Sequence, residues 1–289
     1  MPRLRHFSET SHRMSKKQHP LVSVVVPTLN SAKTIGKCLR SIEDQSYDNL
    51  EIIIVDRYSK DATLEIARRY NVTVFQRGPE RSAQKNWGAQ HAKAELLYFV
   101  DSDFILDHEI VQACVEACER FSAVTTINYS TGRSVWAKSI ALKERFLAHD
   151  PSIQTVKFIK ARTFFEIGGF DEKLTIGEDL DLYARLVECG HTIGNVTAIE
   201  WHIGEPETLR QIISRSYYYG KNVRTYFAKR KNYAIRQLSP FKIGLVLTVL
   251  RTGDPHIPSL FIVDLTRWIS SLVGVLSSIT TGRPTDSPS

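Results

Sequence analysis

Cysteine and methionine are scarce in this chain, and it has no long apolar run free of charge; each shortage narrows what it can be. The four cysteines are Cys38, Cys114, Cys118 and Cys189, and they show no zinc-ligand spacing and make no disulfide framework. Cys114 and Cys118 stand at i, i+4 beside Val111 and Val115, the spacing of small core residues, and a reduced cytosolic setting is expected. Residues 1–20 lack the apolar stretch of a secretory signal and are expected to form a disordered basic arm. There is no internal repeat, and the only low-complexity tract is the polar tail after Thr280. Acidic residues are missing altogether from 210–251, where ten Lys and Arg occur. The net charge of +7 is thus gathered in two basic segments around a nearly balanced centre. Such a distribution argues against a nucleic-acid-coating surface. It suits an anionic membrane surface or a phosphorylated substrate.

The rest of the composition is that of a globular protein, 42% hydrophobic and 24% charged in 289 residues. This length allows one large α/β domain or two smaller ones. β-Branched runs at 21–26 (LVSVVV) and 50–55 (LEIIIV) predict buried strands, joined by a shorter one at 72–76 and a fourth at 96–100. Between them the pattern predicts a helix capped by Ser31 through Ile35, Leu39 and Ile42, then helices over 61–70 and 82–94. That β-α-β-α-β-α-β order calls for right-handed crossovers and a parallel sheet. Further on, helices are expected over 108–121, 136–149, 178–190 and 206–232, and strands over 123–129, 154–161 and 193–200.

The centre of this plan is Glu95 to Asp103, ELLYFVDSD. A buried parallel strand delivers Asp101 and Asp103 to the carboxyl edge of the sheet, where open α/β folds bind ligands. Two carboxylates with only Ser102 between them repel unless a proton or cation intervenes. Hard oxygen donors suit Mg²⁺ or Mn²⁺, which in turn suit a diphosphate. The plainer alternative is a polar strand cap. Thr28 and Asn30 after the first strand and Asp56 after the second fall on the same edge, and this convergence is the stronger signal.

At the C-terminus, 241–250 is apolar but too short to span a bilayer. Segment 259–279 is nearly long enough, yet Asp264 and Arg267 sit in its middle, at about 2.5–3.5 kcal/mol each for a spanning helix. On a helical wheel they share a face with Ser271, while Leu260, Phe261, Leu265, Trp268, Leu272 and Val275 cover most of the rest. A helix lying in the membrane interface fits this pattern. A helix packed on the catalytic domain or on a second copy, in a homo-oligomer, is the alternative.

Taken in order, VSVVVPTLN, EIIIVD, Arg81 to Gly88, FVDSD, IGGFDE and GEDLDL resemble a family-2 glycosyltransferase of the GT-A fold over about residues 21–203. The resemblance implies a Rossmann-like, mostly parallel sheet flanked by helices, here followed by amphipathic membrane-associating helices. It implies that Pro27, Thr28, Asn30 and Asp56 hold the nucleotide base and ribose. A second Asp is frequent after the Asp56 position, and Arg57 stands there instead, so the base that is read stays open. Arg81, Lys85 and Asn86 match the segment that contacts the sugar or diphosphate, alongside Ser102; Lys85 could equally lie on an exposed helix face. By the same resemblance Asp103, with Asp101 and His202, holds Mn²⁺ or Mg²⁺. Asp179, with Glu178 second, takes the acceptor proton in an inverting displacement. Gly168, Gly169 and Phe170 lie beside the acceptor, and Arg210, Arg215, Tyr219 and Lys221 close over the diphosphate or face lipid. Asp181 is expected to be a solvated or supporting acid.

The expected organisation is therefore an arm at 1–20, a catalytic domain at 21–232, membrane-associating helices at 233–280 and a tail at 281–289. The expected reaction moves a hexose from a nucleotide sugar (GDP-mannose or a UDP-sugar) to a polyprenyl-linked sugar acceptor on the cytoplasmic face of the cell membrane, with no nucleic acid involved. Three other readings stand beside it. A polyprenyl-phosphate glycosyl synthase needs no general base, which the Glu178-Asp179 pair argues against. A nucleotidyltransferase usually carries a Gly-rich basic loop after the first strand, which VVVPTLNSAKT lacks. A catalytically dead carbohydrate-binding protein would not need these acids intact.

Overall fold

The structure is a computed structural model, and it describes residues 19–148, 150, 153–238 and 243–281. Nearly all of the basic arm and the polar tail therefore lies outside the described residues. Strand β1 (Val22–Thr28) is buried at every position, as a run of β-branched residues covered on both faces should be. Around it stand β2 (Leu50–Asp56), β3 (Thr73–Gln76) and β4 (Leu96–Phe99), joined by α1 (Ile35–Glu43), α2 (Thr63–Ala67) and α3 (Arg81–His91). These four strands are all parallel, with Val22 facing Leu50 on one side and Leu96 on the other. Alternate residues feed two cores. Val24, Val26 and Ile54 pack with α1 on one face, and Val25, Ile53 and Val55 pack with Ala89 and Phe99 on the other. Each such side chain stabilises the fold by about 1.5–3 kcal/mol.

The later strands extend the sheet: β5 (Phe104–Leu106), β6 (Ala123–Ser130), β7 (Val156–Lys160) and β8 (Ile193–His202). The full order is β3-β2-β1-β4-β7-β6-β8-β5. β7 runs against β4 and β6, and β5 against β8, while β6 and β8 are parallel. Six strands thus share one direction, and the mostly parallel α/β sheet is as the pattern implied. Helices α4 (Ile110–Cys118), α5 (Val135–Leu147) and α7 (Glu178–Glu188) correspond to expected helices. Two short elements were not expected: β5 itself, and α6 (Ala161–Glu166), which begins where the strand was predicted to end.

Helix α8 (Leu209–Leu238) runs beyond its expected end, with a non-helical break at Arg230. It is followed by α9 (Ile243–Arg251) and α10 (Ile257–Thr281). α10 is the one helix among the described residues that is long and apolar enough to cross a membrane, and only 22% of its most apolar window is buried. Its polar residues point inward. Asp264 receives two hydrogen bonds from Lys143 of α5, at 2.8 and 3.0 Å, and Ser271 donates to the Ser216 carbonyl of α8. Large apolar side chains, among them Phe261, Leu265, Trp268, Leu272 and Leu276, point outward. Leu260 is the exception to the expected wheel, buried against Leu142 and Val249. α8 and α10 meet backbone to backbone: a Cβ at Gly220 would lie 2.1 Å from the Ser271 oxygen, and one at Gly274 would lie 2.3 Å from the Tyr217 oxygen.

Candidate active site

The strand ends of β1, β4 and β5, the start of α3 and part of α8 enclose an open cavity of about 260 Å³. Its lining includes Pro27, Thr28, Leu29, Ser31, Arg57, Arg81, Asp101, Ser102, Asp103, Tyr218 and Tyr219. Thr28 and Asp56 pair directly across β1 and β2. The Thr28 hydroxyl donates to Asp56, whose two oxygens also take bonds from the Ser59 amide and hydroxyl and from Gln76. Asp56 is completely buried, and the structure makes it the knot that ties these turns together. Asn30 has a positive φ of 49° and receives the Lys60 amide on its side chain, bracing the same pair of turns. Neither residue lines the cavity, whereas Pro27, Thr28 and Ser102 do.

Lys85 is buried, which corrects the exposed-face reading. It points inward from α3 because three carboxylates meet there: its Nζ lies 2.9 Å from Asp179 Oδ1, 3.6 Å from Asp101 Oδ1 and 3.7 Å from Glu178 Oε1. Burial works against its charge, but Asp101, Asp179 and Glu178 outweigh that and hold the ammonium above its ordinary range. Arg81, one turn earlier, reaches Glu178 at 2.8 Å and Asp101 at 3.8 Å. Burial alone would raise Asp101, yet Lys85 and Arg81 hold it well below the usual carboxylate range. Burial pushes the Glu178 carboxyl up, with Arg81 opposing. Asp179 is the more open of the two α7 acids, 20% exposed against 3%. Both open the helix behind Gly177, which has a φ of 76° and where an added Cβ would lie 2.7 Å from the Tyr226 ring of α8.

Asp103 lines the same cavity and pairs with a different cation. His202 Nε2 lies 3.0 Å from its Oδ2, and His202 Nδ1 lies 2.7 Å from Glu205 Oε1. Burial would discharge the imidazole, but the two carboxylates raise its pKa to about 10, so at neutral pH it donates to both. Gly204 makes this possible, since a Cβ there would lie 2.2 Å from Asp103 Oδ2. That glycine, two residues after the histidine, was a readable signal that sequence reasoning passed over. So was Tyr218, which walls the cavity from α8 together with the expected Tyr219.

Other expected site residues have structural places. Asn86 exchanges two 2.9 Å hydrogen bonds with the Phe170 backbone, clamping the Gly168-Gly169-Phe170 turn onto α3. Phe170 is buried edge-on against Phe99, and Gly168 alone of the three has open space around it. Arg215 joins Tyr219 at 3.2 Å and Glu205 at 3.8 Å, beside the site. Lys221 lies over the Tyr217 ring and does not line the cavity. Asp181 is not solvated: it is fully buried, held by Arg185, Arg230 and Lys229, and it fastens α7 to α8.

Donor chemistry for a divalent cation is present but not closed. Asp101 Oδ1 is buried with no hydrogen-bond partner, and Asp103 adds a second carboxylate on the β4–β5 turn; His202, which donates through both nitrogens, could join them as a ligand only after losing a proton and its bond to Asp103. Among the described residues no three His, Cys, Asp or Glu side chains converge as a ready cage. An incomplete protein shell is what a cation sharing its sphere with substrate phosphates needs. The residues fit such an ion.

Residues 23–170, just over half the chain, match the model of glycosyl transferase family 2. The chain is 27% identical over 202 residues to glycosyltransferase GlyG of Streptococcus pneumoniae serotype 4, covering 58% of this chain and 67% of the relative. It is 23% identical over 193 residues to glycosyltransferase AglE of Haloferax volcanii, covering 60% of this chain and 64% of the relative. Among solved structures, the mannosyltransferase PcManGT from Pyrobaculum calidifontis, in complex with GDP-Man and Mn²⁺, superposes with a TM-score of 0.62 at 17% identity. That likeness covers 90% of this chain and 88% of that one, and it extends to the fold alone.

Proposed function

The chain belongs to glycosyl transferase family 2, and from that membership we propose an inverting, divalent-metal-dependent hexosyltransferase that works at a membrane surface. Its donor is a nucleotide sugar, GDP-mannose or a UDP-sugar, and its acceptor a sugar carried on a polyprenyl lipid. The observation that carries this reading is the meeting of the Asp101–Asp103 edge with the Glu178-Asp179 helix start through Arg81 and Lys85, beside an open cavity that Arg81, Asp101 and Asp103 line and that Lys85, Glu178 and Asp179 do not. The nucleoside lies along Pro27, Thr28 and Leu29, with Ser102 at its side. Asp101 and Asp103 would hold Mn²⁺ or Mg²⁺, which would offset charge on the departing diphosphate, with His202 joining them once it has given up a proton.

In the displacement, the acceptor oxygen bonds to the anomeric carbon as the bond to the diphosphate breaks, and the configuration inverts. The acceptor proton passes to Asp179 Oδ2, while Lys85 holds Oδ1 at 2.9 Å and fixes the carboxylate's direction. Arg81 and Arg215 supply fixed positive charge near the leaving group.

The outward apolar face of α10 supports the membrane reading. A helix of 25 residues is about 37 Å long, enough to cross a hydrocarbon core of about 30 Å. Its inner face, however, is engaged with α5 and α8 from Ser259 to Ser277. This favours a helix lying in the interface, its basic neighbour α8 adding about 1 kcal/mol per Lys or Arg near anionic lipid. The test is to incubate the protein with Mn²⁺ and individual nucleotide sugars and to assay released nucleotide, with and without EDTA. Release that depends on one donor and stops in EDTA is expected; full activity in EDTA overturns the metal requirement.

A further inference from the structure

The carboxyl edge of the sheet sets out the cavity's lining in strand order. Arg57 follows β2, Thr28 and Leu29 stand at the end of β1, and Asp101 and Asp103 follow β4. Neighbouring strands lie about 4.8 Å apart, so with β1 between them the β2 end and the acids are separated by roughly 10 Å. Arg57 is held through its backbone, its amide donating to the Thr28 carbonyl at 2.9 Å. Facing it is Glu80, at the N-terminal cap of α3, whose Oε1 lies 3.3 Å from Arg57 Nη1. A polar side chain at a cap usually accepts from an amide of the first turn; that of Glu80 does not, and it reaches Arg57 instead. Both residues line the cavity, with side chains 15% and 20% exposed. Tyr218 of α8 lines it beside them: burial raises its hydroxyl to about 12, with Glu80 adding to the rise and Arg57 opposing it.

We propose that Arg57 and Glu80 read the base of the donor nucleotide, and that this base is guanine. The inference rests on the glycosyltransferase reading and narrows its donor from two nucleotide classes to one. With the diphosphate at Asp101 and Asp103, the ribose spans the end of β1 and the base falls at the end of β2. Asp56 does not line the cavity, and its oxygens take bonds from Thr28, Ser59 and Gln76, so the carboxylate that meets a base there is that of Glu80. A carboxylate presents two acceptor oxygens side by side. Guanine offers them two parallel donors, N1–H and N2–H, with O6 next to these as an acceptor for the guanidinium. Uracil has a single ring N–H between two carbonyl oxygens, so the second carboxylate oxygen would face a carbonyl and be repelled. Adenine and cytosine each set an acceptor nitrogen beside the amino group, and the same oxygen would meet it. A guanidinium has several N–H donors and a carboxylate several acceptor sites, so the two residues can keep their contact and hold the base together. If the pair only tied the β2 end to α3, exchanging Glu80 for its amide would alter stability and leave base preference alone.

The experiment is isothermal titration calorimetry on the full-length protein in detergent with Mg²⁺, with GDP, UDP, ADP and CDP as the probes. The wild type is expected to bind GDP at least tenfold more tightly than any of the other three. Glu80→Gln replaces one acceptor oxygen by a donor, so it should weaken GDP at least tenfold and leave UDP unchanged or tighter. Arg57→Met should weaken GDP as well, through the loss of the donor to O6. Thermal unfolding checks that each variant is folded; where one is not, the other carries the comparison beside the wild-type preference. Three results overturn the proposal: another diphosphate bound by the wild type as tightly as GDP, a folded Glu80→Gln that keeps the wild-type preference, or a folded Arg57→Met that binds GDP like the wild type. Tight binding of UDP in place of GDP sinks the guanine assignment and leaves the transferase reading standing. Failure to bind any of the four counts against that reading and the proposal together.

Discussion

Helices α1 and α10 are both amphipathic, and they are inside out with respect to each other. α1 buries Ile35, Cys38, Leu39 and Ile42 and leaves its polar side to solvent. α10 turns Asp264, Arg267 and Ser271 toward the protein and exposes Phe261, Leu265, Trp268 and Leu276. Periodicity alone reads the two alike. What separates them is where their polar groups lie: on α10 Asp264 meets Lys143, Ser271 meets the Ser216 carbonyl, and Arg267 lines a cavity against α5 and α8. The contrast teaches that α1 turns its polar side to water, whereas α10 turns its apolar side outward, as the proposed membrane contact needs.

If the two halves are separable in this way, damage to the inward chemistry should leave the outward face working. The largest effect is expected from Asp103→Ala, which should remove transfer altogether while liposome binding and thermal stability persist; residual transfer would move the metal-holding role elsewhere. Next, Asp179→Asn should lower kcat by about a hundredfold or more with donor Kd nearly constant. Steady-state kinetics with a near-normal kcat would mean the base is another group. The comparison itself is sharpest in stability. Leu39→Ala on α1 should cost about 2–5 kcal/mol by denaturant titration, because it opens a cavity in a dry core. Leu265→Ser on α10 should shift stability by about 0.5 kcal/mol or less, since the side chain is 58% exposed, yet weaken binding to anionic liposomes. Equal stability losses at the two sites would erase the distinction.

The parallel half was legible because burial on both faces writes itself as unbroken apolar runs, and a strand followed by acids announces its carboxyl edge. Asp101, Asp103, Glu178 and Asp179 were read from such local signals. Lys85 was harder, because a lysine's burial depends on three acids distant in sequence converging on it. Asn86 and Phe170 looked like site residues, and their mutual backbone clamp is visible only in three dimensions. Asp181 is within a turn of the proposed base Asp179, but its fate is decided by Lys229 and Arg230 some fifty residues later. β5 and α6 are three and six residues long, too short to generate a period.

The backbone contact between Gly220 and Gly274 also constrains how this chain can change over generations. Every single-base missense change in a glycine codon installs a Cβ, and at these two positions that atom would land 2.1 or 2.3 Å from a carbonyl oxygen of the opposite helix. No tolerated intermediate leads away from either residue unless the helices part first. At Gly190 and Gly253 an added Cβ meets open space, and the cost is confined to their positive φ. A saturation library selected for function should therefore be emptied at 220 and 274, Ala included, while retaining some Asn and Asp at 190 and 253. The joint between catalytic unit and outward helix is, in mutational terms, locked from both sides.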